Sequence, residues 1–221
     1  MKENLVTIWD KRNEKASGLP IYDLWLDNYY NILVKNKKNE ILDLGCGIGS
    51  DTLYLRERGY KVLSCDISKE ALENVKKYIY EYKVKQMDMT ERFPFADESY
   101  YLVIADLSLH YFSKEDTIKI MKEIKRILKF NGVLLARVHS VKELVNESAV
   151  LEKVENNLYY RKNELRRYFS DDDIKFFFSI IGDIVYSETE MFRNNKLKIV
   201  YEVMCTKRWW IVDIFYSLFQ N

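Results

Sequence analysis

The stretch that decides the fold is Glu40-Ile41-Leu42-Asp43-Leu44-Gly45-Cys46-Gly47-Ile48-Gly49-Ser50, in the first quarter of a 221-residue chain. Its apolar start is typical of a buried strand, and the residues after the glycines have the pattern of a helix that Gly59 caps. Three glycines at alternate positions indicate a loop that brings backbone N–H groups close to a ligand, because glycine has no Cβ to clash. A flexible turn is the plainer alternative.

Strands and helices alternate on both sides of this loop. We predict strands at 40–44, 61–65, 84–87, 101–105 and 133–138, and helices at 20–33, 52–58, 68–82 and 115–128. Pro20 fits the first turn of the first helix, and Asn131-Gly132 is predicted to form the turn into the last of these strands. Strands that alternate with helices of this length indicate βαβ units and a parallel sheet.

The last third of the chain has a different pattern. Ser170 followed by Asp173 resembles a capping box at the start of a phenylalanine-rich helix. Two strand-like runs at 183–192 and 197–206 then flank residues 193–196, which predicts a hairpin. The sequence therefore predicts an α/β fold whose parallel sheet ends in an antiparallel hairpin.

The charges nearly balance, because 35 basic and 34 acidic side chains give a net charge of +1. This leaves no electrostatic footprint for a nucleic-acid backbone or an anionic membrane, and it favours a small or neutral substrate. Three cysteines without a CxxC pair indicate a reducing cytoplasm, and two histidines without a Cys/His cluster predict no metal site. The N-terminus lacks the apolar core of a signal peptide, and the apolar run 209–219 is too short to span a bilayer.

The glycine spacing helps to separate two nucleoside ligands. In the dinucleotide fingerprint G-x-G-x-x-G the third glycine would fall at Ser50, whereas the third glycine of this chain is Gly49. A carboxylate beside the loop, Asp43, suits a cationic group, and S-adenosylmethionine carries a sulfonium and an ammonium but no phosphate. Asp66, at the end of the second strand, is placed to accept both ribose hydroxyls. NAD also needs a carboxylate for its ribose hydroxyls, so Asp66 does not separate the two ligands. The alternative is that Asp66 only stabilises the N-terminus of the following helix, where the helix dipole favours an acid.

Four segments resemble the successive motifs of class I S-adenosylmethionine-dependent methyltransferases of the small-molecule branch: ILDLGCGIGS, VLSCDIS, QMDMTERFPFADESYYLVIADLSLHYF and IKRILKFNGVLLARV. A weaker similarity is to tellurite-resistance-type and thiopurine-type members. The resemblance covers residues 40–140. It implies a Rossmann-like, doubly wound sheet of seven strands, mostly parallel with an antiparallel C-terminal hairpin strand.

The resemblance also implies how S-adenosylmethionine binds. The residues implied are Asp43, Gly45, Cys46, Gly47 and Gly49 for the methionine and the loop around it, Asp66 for the ribose, Ile67, Asp88 and Met89 for the adenine, and Asp106 and Leu107 for the methionine end. Two departures from the family pattern are Phe130-Asn131-Gly132 in place of Pro-Gly-Gly, and Tyr100-Tyr101 in place of Phe-Asp. Both lie outside the expected cofactor contacts.

Methyl transfer from a sulfonium needs a collinear donor and acceptor in a dry site, and a general base only where the acceptor is protonated. His110 and His139 follow the ends of two strands and are the candidate catalytic bases. Their alternative roles are packing over the cofactor and a hydrogen bond at a strand end. The candidates for lining the acceptor cavity are Tyr111, Arg137 and Tyr168. The candidates for its lid are Trp9, Tyr22 and Trp25. For Tyr22 and Trp25 the alternative is a place on an amphipathic helix that packs on the core.

We expect a single methyltransferase domain over residues 1–221, with a helical cap at 1–39, a cofactor-binding core at 40–140, and C-terminal helices, a hairpin and an apolar tail at 141–221. The tail is expected to dock on the domain or on a second copy in a homodimer. Asp106-Leu107-Ser108-Leu109 differs from the motifs of methyltransferases that act on nucleic-acid bases, so a small molecule is the expected acceptor. The alternatives are a binding module without transfer activity and an NAD-dependent oxidoreductase.

Overall fold

The computed structural model of the chain describes residues 2–14, 16, 18–146, 151–161, 164–193 and 196–208. The helices are α1 (Lys2–Glu14), α2 (Tyr30–Lys35), α3 (Ser50–Glu57), α4 (Lys69–Tyr78), α5 (Lys114–Ile127) and α6 (Asp171–Phe178), with 3₁₀ turns at Trp25–Tyr29 and Val141–Asn146. The strands are β1 (Glu40–Leu44), β2 (Lys61–Asp66), β3 (Val84–Gln86), β4 (Tyr100–Asp106), β5 (Leu128–His139), β6 (Glu152–Glu155), β7 (Leu158–Arg161), β8 (Glu164–Arg167), β9 (Gly182–Arg193) and β10 (Lys196–Lys207).

Seven of these strands form one large sheet in the order β3-β2-β1-β4-β5-β10-β9. The strands from β3 to β5 pair in parallel, whereas β10 runs antiparallel to both of its neighbours, β5 and β9. The strand order reverses between β1 and β4, and open α/β sheets bind ligands at such a switch point. The predicted Rossmann-like sheet of seven strands with an antiparallel C-terminal hairpin strand is confirmed.

The side chains of the central strands alternate between the two faces of this sheet, and both faces are buried. From β1, Leu42 and Leu44 join an apolar cluster that includes residues of α5 and α6, whereas Ile41 packs in another cluster with residues of α2 and α3. All three side chains are fully buried. Strands covered on both faces have near-continuous apolar sequences, which is why the glycine loop is preceded by an apolar run.

The fifth strand departs from the prediction, because Asn131-Gly132 lies inside β5 rather than in a turn before it. β5 begins at Leu128, directly after α5. Asn131 has a φ of +59°, and the pairing with β4 shifts register opposite this dipeptide, which marks a bulge. A Cβ on Gly132 would lie 2.7 Å from a backbone oxygen. The turn-like dipeptide therefore kinks a strand.

Residues 20–33 do not form the single helix that their apolar stripe predicted. The segment before Trp25 is irregular and leaves Ile21 exposed. The 3₁₀ turn then buries Trp25 and its neighbour Leu26, and α-helix is restricted to residues 30–35. The Trp25 indole N–H donates to Asp51 Oδ1 at 2.9 Å, which ties this segment to α3. A tertiary contact thus overrides the helical pattern.

β6, β7 and β8 form a three-stranded antiparallel sheet that the sequence did not predict. Each strand has only four residues, and β6 and β8 each have three charged side chains, so the apolar alternation that indicates a strand is missing. The end of β8 is joined to the large sheet through its backbone. Arg167 N–H donates to the His110 carbonyl at 2.8 Å, and Phe169 N–H donates to the His139 carbonyl at 2.7 Å. The small sheet therefore lies beside the carboxyl ends of β4 and β5.

Two local predictions are confirmed. Ser170 and Asp173 form a reciprocal capping box at the start of α6, and Gly59, with a φ of +72°, follows α3. The apolar run 209–219 lies outside the described residues. In the described ranges, none of the helices combines the length and the apolar character that crossing a bilayer requires.

Candidate functional site

The candidate site lies at the carboxyl ends of the parallel strands. The glycine loop, residues 45–49, follows β1, while Asp66 ends β2, Asp106 ends β4 and His139 ends β5. Because these four strands are adjacent and parallel, their ends meet at one edge of the sheet. The structure thus brings the glycines, the acids and a histidine of the sequence prediction together.

Gly45 and Gly49, at the two ends of the glycine loop, pack against other side chains, whereas Gly47 in the middle of the loop has open space beside it. Its glycines have φ values of +74°, +53° and +94°, which favour glycine. A Cβ at Gly45 would lie 2.4 Å from Ser108 Cβ, and one at Gly49 would lie 2.8 Å from Ile79 Cδ1. Nothing lies within 4 Å of the corresponding position at Gly47. Backbone at the centre of the loop is therefore available to a ligand.

Two backbone hydrogen bonds anchor the loop to the second strand. The N–H groups of Gly45 and Cys46 both donate to the Cys65 carbonyl oxygen, at 2.7 and 2.9 Å. The Cys46 side chain is half-buried, and burial raises the pKa of its thiol. Cys46 is thus a neutral part of the loop wall, without the thiolate that a nucleophile requires.

Asp66 is held by the backbone on both sides. Its Oδ2 accepts from the Gly47 N–H at 2.8 Å, and its Oδ1 accepts from the Ser68 N–H at 2.9 Å. A carboxylate oxygen has two lone-pair sites, so each oxygen keeps one for a further donor. Burial raises the pKa of Asp66, and these backbone N–H groups oppose that shift. The hydroxyl of Ser68 caps α4 by accepting from Ala71 N–H, so Asp66 does not fill the cap position.

Asp43 supports the loop from below. Its side chain is 1% exposed, and its Oδ2 accepts from the Thr52 hydroxyl at 2.6 Å. The same hydroxyl lies 2.7 Å from the Ser64 hydroxyl. Burial raises the pKa of Asp43, and the charges of Asp106 and Asp66 raise it further. The Asp43 side chain is therefore hydrogen-bonded to Thr52 of α3 and, through the Thr52 hydroxyl, is linked to Ser64 of β2.

Asp106 is clamped by an arginine. Arg137 donates from Nε and Nη2 to the two oxygens of Asp106, at 2.6 and 3.0 Å, and from Nη1 to Asp23 at 2.6 Å. The Arg137 guanidinium lies 4.7 Å from the centre of the Trp25 ring, whose N–H holds Asp51. Burial raises the pKa of Asp51. Arg137, predicted to line the acceptor cavity, thus sits in an ion network with Asp106 and Asp23 at the carboxyl ends of β4 and β5.

The residues expected around the adenine follow β2 and β3. Ile67 is half-buried, and its carbonyl accepts from Gln86 Nε2 at 2.9 Å. Asp88 Oδ1 accepts from the Thr90 N–H and hydroxyl at 2.8 and 2.7 Å, which fixes the orientation of the carboxylate. Met89 Cε lies 3.1 Å from where a Cβ at position 45 would be. Met89 therefore meets the glycine loop from the β3 side.

Leu107 has a φ of +50°, unusual for a leucine, directly after β4. Its N–H donates to the Arg137 carbonyl at 3.0 Å, and its side chain packs with Met191 and Val200. A residue held in the left-handed region costs about 1–2 kcal/mol and persists only where its surroundings fix it. This turn places the following residues, Ser108 among them, against the glycine loop.

The two histidines pack against each other. His110 is 0% exposed and His139 is 6% exposed, and their ring centroids are 4.6 Å apart. Nδ1 and Nε2 of His110 and Nδ1 of His139 find no hydrogen-bond partner among the described residues. Burial lowers the pKa of both imidazoles, that of His139 to about 3, and the charge of Arg166 lowers both further. Both rings are therefore neutral at neutral pH.

Helix α1 joins the two ends of the site. Near β2, Asp10 Oδ1 accepts from the Ser68 hydroxyl at 2.7 Å. Near the histidines, the Trp9 ring meets the Tyr111 ring edge-on at 4.7 Å. One turn later along α1, Arg12 forms an ion pair with Glu164 of β8 at 3.0 Å. α1 therefore extends from Ser68, just after β2, to Tyr111, next to His110.

Sequence reasoning missed several residues that hold the site. Ser108 fits against Gly45 because it is small, and its hydroxyl donates to the Leu44 carbonyl at 2.7 Å. The sequence signal that could have identified Ser108 was a small side chain soon after β4. Glu164, 2% exposed, had no such signal, because its strand was not predicted. Tyr22 and Trp25 pack on α3 residues rather than over the site.

Comparisons with known proteins agree with this geometry. Residues 41–132 match the family model described as a methyltransferase domain. The putative methyltransferase YqeM of Bacillus subtilis (strain 168) is 33% identical over 130 residues, which cover 56% of this chain and 53% of that protein. A malonyl-[acyl-carrier protein] O-methyltransferase of Hamiltonella defensa subsp. Acyrthosiphon pisum (strain 5AT) is 26% identical over 139 residues, 63% of this chain and 51% of that protein. The chain thus spans about half the length of the curated relatives it matches.

A solved structure of an S-adenosylmethionine-dependent methyltransferase from Methanosarcina mazei has a TM-score of 0.71 at 19% identity, covering 85% of this chain and 100% of that chain. At this identity the likeness shows the fold. The sheet order, with a glycine loop after β1 and an acid after β2, defines a Rossmann-like fold. Residues 41–132 match a methyltransferase domain, and the chain is similar in fold to S-adenosylmethionine-dependent methyltransferases.

The loop geometry predicts different costs for two glycine substitutions. Gly49→Ala combines left-handed backbone strain with overlap against Ile79, and should lower the free energy of unfolding by about 3 kcal/mol. Gly47→Ala meets no neighbour and should cost about 1–2 kcal/mol from backbone strain alone. Urea unfolding of both variants measures this, and equal losses would contradict the packing described for the loop.

The buried imidazoles predict a pH-dependent stability. His139 has a pKa of about 3 when folded and about 6.5 when unfolded, so below pH 6.5 the unfolded chain binds a proton that the folded chain excludes. The free energy of unfolding should therefore fall by about 1.4 kcal/mol per pH unit for this residue. In urea titrations, the advantage of wild type over His139→Asn should shrink by about 2 kcal/mol from pH 7 to pH 5. An advantage that does not change with pH would refute the assignment.

Proposed function

We propose that the protein transfers a methyl group from S-adenosylmethionine to a small-molecule acceptor by in-line displacement. The observation that supports this most directly is the cradle formed by Gly47 and Asp66. Gly47 leaves its side-chain position empty, and its N–H orients a carboxylate whose oxygens keep lone pairs for further donors. Such a cradle suits a ribose whose two hydroxyls both donate.

The charges around the loop fit this cofactor. When bound, S-adenosylmethionine supplies a methyl group on a positively charged sulfur, which makes the methyl carbon electrophilic. Burial raises the pKa values of Asp43, Asp51 and Asp66, so a nearby cation lowers the cost of keeping them ionised. A pyrophosphate would add negative charge beside these acids, which disfavours a dinucleotide.

We assign the residues of the site on this basis. Proposed cofactor contacts are Asp43, Gly45, Cys46, Gly47 and Gly49 around the methionine and the loop, Asp66 at the ribose, Ile67, Asp88 and Met89 at the adenine, and Asp106 and Leu107 at the methionine end. His110 and His139 are placed at the acceptor, next to the strand end that carries Asp106. The clamp of Arg137 on Asp106 keeps that carboxylate from swinging toward the acceptor.

A small acceptor is supported by the closure that α1 provides. Trp9 and Arg12 reach across to Tyr111 and Glu164, so the described structure covers the histidines instead of leaving a wide groove. Small size also agrees with the net charge of +1. The same proposal includes a cytoplasmic location and a homodimer formed through the tail. It also divides the chain into a cap at 1–39, a core at 40–140 and a C-terminal part at 141–221. The three cysteines, all free thiols, support the location.

The ribose assignment predicts a loss of affinity when Asp66 loses its charge. Asp66→Asn should raise the Kd of S-adenosylhomocysteine about 30-fold, since weakening charge-assisted hydrogen bonds costs about 2 kcal/mol. Isothermal titration calorimetry measures this. The matched control is Asp97→Asn, a surface aspartate that pairs with Arg126 before β4, which should leave the Kd unchanged. Wild-type affinity in Asp66→Asn would contradict the assignment.

A further inference from the structure

The imidazole pair, His110 and His139, has buried polar atoms whose missing hydrogen bonds lower the free energy of unfolding. Three ring nitrogens of this pair are buried without a hydrogen-bond partner among the described residues. An unsatisfied buried polar atom costs about 1–3 kcal/mol. The two rings meet at an interplanar angle of 63°, and the Tyr111 ring lies 4.2 Å from that of His110. Buried polar atoms left open in this way mark a place where a ligand supplies the missing partner.

Positive charge surrounds this pair. The buried carboxylate of Glu164 pairs with Arg166 at 2.6 Å and with Arg12 at 3.0 Å, so two guanidinium groups share one acid. The Arg166 guanidinium lies 5.5 Å from the centre of the Tyr111 ring, and its Nε is buried without a partner in the described part of the chain. This arginine cluster, Arg12 and Arg166 with Glu164, thus has one positive charge in excess beside the imidazoles.

Further cations face the same rings from the C-terminal hairpin. Arg193 of β9 lowers the pKa of both imidazoles, and Lys198 of β10 and Arg161 of β7 lower that of His139. Burial is the larger cause in each case. A base whose conjugate acid has a pKa of about 3 removes a proton poorly at neutral pH. Arg193 pairs with Asp106 at 3.6 Å and Lys198 pairs with Glu143 at 2.8 Å, so the excess of positive charge beside the imidazoles comes from the arginine cluster around Glu164. That excess suits a nucleophile that arrives already ionised.

We propose that the methyl acceptor is the oxyanion of an organic acid, a carboxylate or a phosphonate, bound between the imidazole pair and Arg166. This inference rests on the proposed function and names its substrate class. An oxygen lone pair of the acid forms the new bond to the methyl carbon while the carbon–sulfur bond breaks and its electron pair stays on sulfur. A carboxylate and a sulfonium become a neutral methyl ester and a thioether, whereas a phosphonate dianion and a sulfonium become a monoanionic methyl ester and a thioether; no proton is transferred in either case. Loss of one positive and one negative charge is favoured in a site that excludes water.

The test is a panel of acceptors with methyl-labelled S-adenosylmethionine. Aliphatic and aromatic carboxylates and phosphonates are each paired with the isosteric amide, alongside amines, phenols and thiols, and products are identified by mass spectrometry. We expect methyl esters from the oxyacids and no product from the amides. The separate carboxylate and phosphonate arms show which oxyacid is used. The proposal fails if no oxyacid gives an ester, or if amines, phenols or thiols are the acceptors methylated.

Substitution of Arg166 tests the geometry. Arg166→Gln should raise the KM of the oxyacid at least tenfold while kcat and the Kd of S-adenosylhomocysteine change less than threefold, and Arg166→Lys should restore part of the loss. The control is Arg208→Gln, an exposed ion-paired arginine just after β10, at the opposite edge of the sheet. An unchanged KM in a folded Arg166→Gln variant would overturn the proposal. Binding of S-adenosylhomocysteine without ester formation rejects the oxyanion alone, whereas absence of that binding rejects the proposed function itself.

Discussion

One hydrogen bond, from the Gly47 N–H to the Asp66 carboxylate at 2.8 Å, joins the two strand ends on which the site depends. It forms because the loop after β1 turns through positive φ at three glycines, and because Gly45 and Gly49 are pressed against side chains that leave no space for a Cβ. With both ends of the loop fixed, the central N–H points at the end of β2. The cradle formed by Gly47 and Asp66 is therefore a product of packing.

The site is divided by charge. On the proposed donor side, buried acids surround the loop, and Arg137 holds the Asp106 carboxylate in place through two hydrogen bonds. On the acceptor side, two neutral imidazoles lie among arginines, with a single buried acid, Glu164, in the cluster on β8. A cationic donor and an anionic acceptor would each find the opposite charge in its own half. Helix α1 contacts both halves, through Asp10 at Ser68 and through Arg12 at Glu164.

The sheet and the glycine loop could be predicted from sequence because both depend on local signals. Apolar runs indicate strands buried on both faces, and glycine spacing indicates positive φ. The small sheet β6–β8 could not, because its stability comes from tertiary partners such as the buried Arg167, which contacts the Phe112 and Asn156 carbonyls. The same holds for Trp25, whose bond to Asp51 turned a helical stripe into a 3₁₀ turn. Among the site residues, Glu164, which pairs with Arg12 and Arg166, carried no local signal.

The central claim is that the cradle holds an adenosine attached to a cationic sulfur rather than a dinucleotide. Calorimetric titration of the wild-type protein with S-adenosylmethionine, with S-adenosylhomocysteine and with NAD tests it most directly. The account predicts saturable one-to-one binding of the first two in competition with each other, and no heat of binding with NAD. Saturable binding of NAD alone would contradict it.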